Sequence, residues 1–129
     1  MDWMLTDLAS SVPYVRHVIA LSADGLCIGQ ANTEADTADA IAAACSGVQS
    51  LSKAIAQKFP HGDGSMNMVG IEVDGGYFCL MAAGPGAYLA VLADDGVDAL
   101  LLGDRMRVLV HRIGQHIASP PRDDIGQAM

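Results

Sequence analysis

Charge is scarce in this chain, and positive charge most of all. Of 129 residues only 17% are charged; seven Lys and Arg stand against 15 Asp and Glu, for a net charge of −8. Nonspecific nucleic-acid binding needs Lys and Arg to neutralise phosphates, and attraction to anionic lipid needs the same residues. Both are excluded as general modes of action. Cysteine is sparse too: Cys27, Cys45 and Cys79 are odd in number, lack CxxC spacing and sit among apolar neighbours. They read as reduced structural residues. No apolar run is long enough for a membrane span, and the opening MDWMLTDLASS is acidic, unlike a secretion signal. A cytoplasmic location is the expectation.

Catalytic and ligand-binding signatures are missing as well. There is no GxxxxGK[ST] loop for nucleotide phosphates. The glycines of GPGAYL lie between expected strands, with no helix N-terminus following to receive an anion. His111 and His116 are five apart on an expected helix, so they lie on different faces and cannot chelate one zinc as i, i+4 histidines can. Ser22 and Asp24 have no GxSxG elbow or positioned histidine around them. His61 and Asp63, in the glycine-rich stretch FPHGDGS, read as a solvated turn. The expectation is a protein with no intrinsic active site, no cofactor and no metal.

What the chain has in surplus is apolar surface. The composition is 51% hydrophobic, and one domain of this length buries roughly 65–70% of its unfolded surface. Little charge is left to cover the outside. Burial between subunits is the simplest relief; an apolar ligand cavity would also serve.

The surplus is concentrated in DTADAIAAACSGVQSLSKAIAQKF, read as one long helix from Asp36 to Phe59. Ile41, Cys45, Val48, Leu51, Ile55 and Phe59 recur at the spacing of a core stripe. Ala40, Ala43, Gly47, Ser50 and Ala54 form a second stripe, all small, rotated by roughly a quarter turn or more. Small residues at that spacing let another backbone approach. The expectation is a helix that packs on its own domain with the first stripe and on a partner with the second.

Taken in order, the chain opens with a short helix from Asp2 to about Val12, capped by Asp2 and stopped by Pro13. Trp3, the only tryptophan, is expected to pack. Strands at about Arg16–Leu21 and Leu26–Gln30 flank Ala23-Asp24-Gly25, a strong hairpin signal, with His17 facing solvent or an edge. Thr33 or Asp36 would cap the long helix, and Pro60, Gly62 and Gly64 end it. The period then changes to two. An edge-like strand at Met66–Asp74, a turn at Gly75-Gly76, a central strand at Tyr77–Ala83, a turn at Gly84-Pro85-Gly86 and a fifth strand in AYLAVLA follow. A last helix runs from about Val97 to Ile117, and residues 119–129 read as a disordered tail.

This order, carried by VPYVRHVIALSADGLCIG, ACSGVQSLSKAIAQKF, EVDGGYFCLMAAGPGAYLAVLA and HRIGQHIASPPR, resembles the roadblock family, the dynein-light-chain-type domain widespread in bacteria. The overall pattern is similar to actinobacterial members found beside sensor kinases and Ras-like GTPases. The resemblance implies one roadblock-like domain over residues 1–118, an α/β (α+β) fold ordered α-β-β-α-β-β-β-α. Its five-stranded antiparallel sheet would carry two helices on one face and the long helix on the other. It implies dimerisation through the long helix and the strand after it, here Ala40, Ala43, Gly47, Ser50 and Ala54 with Met66, Asn67, Met68, Val69, Gly70, Ile71 and Glu72. It further implies that the dimer is a platform for a Ras-like small GTPase, with modulation of GTP hydrolysis, and a sensor kinase of the same module as a further partner. Recruitment to the membrane would then run through partners.

Ser46, Gln49 and Lys53 are the expected exposed ridge facing the GTPase. The helix carries lysines but no arginine, so an inserted arginine finger from that face is not expected. Two other readings stand beside this one: a dimeric scaffold with no effect on a GTPase, and a small-molecule sensor of PAS or GAF type. The sensor would need a cavity between sheet and helix, whereas Leu80, Ala82, Leu89 and Val91 look suited to close packing.

Overall fold

The computed structural model describes residues 1–118; the expected tail at 119–129 lies outside them. The elements are α1 (Asp2–Ser11), β1 (Val15–Ser22), β2 (Cys27–Ala31), α2 (Ala35–Ala56), β3 (Met68–Val73), β4 (Gly76–Ala82), β5 (Ala87–Asp94) and α3 (Ala99–Ala118). The five strands form one antiparallel sheet in the order β2-β1-β5-β4-β3. The fold is α+β, as the element order implied.

Side-chain alternation along the strands builds two cores. Val18 and Ala20 of β1 and Leu89 and Val91 of β5 point to one face, where Leu5 and Leu8 of α1 and Leu102, Met106 and Ile113 of α3 cover them. Ile19 and Leu21, with Tyr88 and Ala90, point to the other face and meet Ala38, Ala42 and Cys45 of α2. The strand covered along nearly its whole length is β5, at the centre of the sheet. The sequence assigns that role to Tyr77–Ala83, whose buried residues are Cys79, Leu80, Met81 and Ala83.

Two turns set the register. Gly25, at φ +84°, turns the chain between β1 and β2, and a Cβ there would stand 3.1 Å from that of Ser46 on α2. Only glycine combines the left-handed backbone with that approach. In the second hairpin Val73 pairs with Gly76, so the turn residues are Asp74 and Gly75 rather than Gly75-Gly76.

The expected caps are not the ones used. The residue before α1 is Met1, and Asp2 Oδ1 instead accepts a hydrogen bond from the Gln30 backbone N–H at 3.1 Å, tying α1 to β2. Glu34 precedes α2, without a side-chain cap. Thr33 donates instead to the Ala31 carbonyl, and Asp98 caps α3 by accepting from the N–H groups of Leu100 and Leu101. His17 is half-buried, its Nδ1 lying 3.0 Å from the Asn32 carbonyl. Trp3 is 62% exposed under the Arg112 guanidinium, not packed in the core.

Candidate association surface

The line that α2 turns to the sheet is also built largely of small residues, offset from the expected core stripe, while the expected outward stripe stays outward. Ala38, Ala42, Cys45 and Gln49 are buried, flanked by half-buried Ile41 and Val48. The bulky residues filling this core come from the sheet, so short side chains on the helix let it sit close. Leu51, Ile55 and Phe59, read as core from their size, are 70%, 63% and 63% exposed. Only the first half of the expected core stripe is in the core. The inner line was legible as Ala38, Ala42, Cys45 and Gln49 at i, i+4, i+7 and i+11, but Gln49 interrupts it with a polar residue.

Gln49 is 6% exposed and donates from Nε2 to the Ala23 carbonyl at 3.2 Å, locking α2 to the first hairpin turn. It therefore cannot belong to an exposed ridge. Ser46 packs against Gly25, and Lys53 is half-buried with Nζ 5.9 Å from the Tyr88 ring centroid. The three residues expected to face a GTPase thus lie toward the hairpin and the sheet. The reason is angular: they fall near the buried line, on the side away from Gly47.

The outward face is continuous. Ala40, Ala43, Gly47, Ser50 and Ala54 are all exposed, and none of the described residues lies within 4 Å of a Cβ placed on Gly47. At 100° per residue, Leu51 and Ile55 fall beside this line. The small stripe and the large exposed residues form one surface.

At the edge of the sheet opposite β2, β3 is an outer strand paired to β4 alone among the described strands. Its second edge offers a row of unpaired N–H and C=O groups, a template for another strand. Val69, Ile71 and Val73 alternate onto the α2 side, where α2 packs mainly on β1 and β2. Ile71 is 37% and Val73 57% exposed. Met68, Gly70 and Glu72 point to the α3 side and are also exposed. Asn67 precedes the strand, and its carbonyl extends the ladder by accepting from the Ala82 N–H at 3.0 Å. Met66, expected at the interface, is instead buried in the core under α2, so in the single chain it offers no surface to a partner. Sequence reasoning missed Leu51, Ile55, Phe59, Ala44 and Val73 as surface residues.

Burial pushes the Cys45 thiol up to about 11 and holds Cys79 above its ordinary value, so both are protonated near neutral pH. Cys27 is raised mainly by desolvation. No group of three His, Cys, Asp or Glu among the described residues could hold a metal. Asp63 accepts from the N–H and hydroxyl of Ser65, which holds its carboxyl low and closes its own turn. No described helix is long and apolar enough to cross a membrane.

An antiparallel five-stranded sheet with α1 and α3 on one face, α2 on the other and β3 at an open edge is a defined architecture. The chain belongs to the Roadblock/LC7 domain family, whose model matches residues 1–93. A Roadblock/LC7 domain from Streptomyces avermitilis is 34% identical, with a TM-score of 0.86 over 92% of this chain and 98% of that one. A second structure described as the Roadblock/LC7 domain of Streptomyces avermitilis is 35% identical, with a TM-score of 0.70 over 86% of this chain and 95% of that one. MglB of Myxococcus xanthus shares the fold at 14% identity, with a TM-score of 0.82 over 92% and 95% of the two chains. No functionally curated protein matches the chain.

Proposed function

We propose that this protein is a non-catalytic homodimeric regulator that binds a Ras-like small GTPase. The observation that carries the reading is a pair of exposed features, the outward face of α2 with Leu51 and Ile55 and the open β3 edge with Ile71 and Val73, that nothing among the described residues covers. Exposed apolar patches of this kind mark interaction sites. A two-fold arrangement would pair β3 with its copy and lay the two α2 helices together at Gly47, where the backbone is bare. The roadblock family supplies the precedent for such a pair and for its use as a GTPase platform.

Binding, rather than chemistry on the GTP, is the proposed contribution. Helix α2 carries Lys53 and no arginine, and Lys53 leans over Tyr88. Any change in GTP hydrolysis would come from ordering the GTPase's own loops. The test has two parts. Light scattering should give twice the chain mass, and a cognate GTPase should co-elute in one nucleotide state with altered GTP turnover. A monomer sinks the dimer. Unchanged turnover with no co-elution in either state sinks the GTPase role and leaves the scaffold.

A further inference from the structure

The positive charge that is scarce elsewhere gathers on α3, on the face of the sheet away from α2. Arg105 and Arg112 line a groove of about 200 Å³ between α1 and α3, over a floor that includes Met4, Leu8 and Leu109. Trp3 stands at the Arg112 end, its ring centroid 5.0 Å from the guanidinium carbon and the residue 62% exposed. Val108 on the same groove is 62% exposed. A tryptophan and two arginines around an apolar floor are the residue types that dominate binding energy at interfaces.

The size and charge of the groove choose its occupant. Small-molecule sites typically hold roughly 300–1,000 Å³; this groove takes one or two side chains. The guanidiniums are seven residues apart on one helix, about 10.5 Å along its axis. A second helix lying alongside meets both with carboxylates at i and i+7, and a side chain midway between them drops to the floor. Arginine matches carboxylates with its planar fork. Asp7 on the α1 side of the groove repels carboxylates there and so directs them to α3. The chain's own described helices offer no such partner: the acidic residues are Asp2 and Asp7 in α1, Asp36 and Asp39 in α2, and Asp104 in α3. None of these pairs is seven apart. Two arginines facing Asp7 across a narrow groove are too few for a lipid surface or nucleic acid, which needs many phosphate contacts.

We propose that the α1–α3 groove binds an acidic amphipathic helix of a different protein, with two carboxylates seven residues apart on Arg105 and Arg112 and an aliphatic side chain between them on the groove floor. This goes beyond the dimer and GTPase reading and uses the opposite face, so either can fail alone.

The test uses the full chain and a helix-forming synthetic peptide built on Glu-x-x-Leu-x-x-x-Glu without aromatic residues. Trp3, the only tryptophan, reports the groove by its emission, and calorimetry follows the same titration without that reporter. A saturable one-to-one isotherm is expected, weakened about tenfold or more by R105E or by R112E, since reversing a contact charge replaces attraction with repulsion. Replacing the peptide leucine with serine should weaken it likewise. The proposal is overturned by an absence of saturable binding, by equal binding of a scrambled peptide, or by binding that survives both charge reversals. It is also overturned if phosphatidylserine vesicles capture the chain better than the peptide does, or if the Trp3 signal follows chain concentration alone.

Discussion

The two faces of the sheet are finished to different degrees. On the α1–α3 face two helices place large side chains over the strands, and Leu5, Leu102, Met106 and Ile113 are fully buried. On the other face a single helix presents Ala38, Ala42 and Cys45 inward and leaves Leu51 and Ile55 outside. On the first face the large core side chains are covered within one chain. The second buries Ala38, Ala42 and Cys45 while Leu51 and Ile55 of the same helix stay exposed, an order that hydrophobic burial favours only if a second surface arrives. The difference separates residues that hold the fold from large residues left at the surface.

Matched leucine truncations should break the comparison most visibly. Leu102→Ala removes a fully buried side chain, and such changes cost about 2–5 kcal/mol; urea unfolding should show the loss. Leu51→Ala, at 70% exposure, should leave a single chain nearly as stable and loosen only the dimer. Equal losses measured under monomeric conditions would show that α2 is not divided in this way.

Gly47→Leu sharpens the same contrast on one helix. A Cβ there meets nothing among the described residues, so the folded monomer should tolerate leucine. Overpacking at a contact costs about 1–3 kcal/mol, and a two-fold interface would feel it from both chains. Sedimentation should shift toward monomer with circular dichroism unchanged. An undisturbed dimer would remove Gly47 from the interface.

The smallest effect is one of pH. The Cys45 thiol, raised by burial from 9.0 to about 11, stays protonated in the fold while the unfolded chain ionises. Its contribution is fully present below pH 9 and is lost as pH rises toward about 11. Cys79 is raised for the same reason and acts in the same direction. Thermal melts across that window should decline, and less steeply in Cys45→Ala. A flat profile would place the thiol in contact with water.

Local pattern determined much of this protein. The element order, both hairpins and the edge character of β3 follow from the period-two runs, Asp24-Gly25 and the turn at Gly75, because alternation and backbone freedom act over a few residues. The shortage of positive charge and the missing catalytic motifs were equally legible. Tertiary structure decided which face of α2 is inner. Ile19, Leu21 and Tyr88 fill that space from the sheet, so alanines belong there, and nothing within the helix sequence records the bulk of its neighbours. It also turned Gln49 from an expected ridge into a buried tie to Ala23, took Met66 into the core, and set Arg105 and Arg112 beside α1. Spacing along a chain shows which residues share a stripe; which stripe is buried depends on what stands opposite.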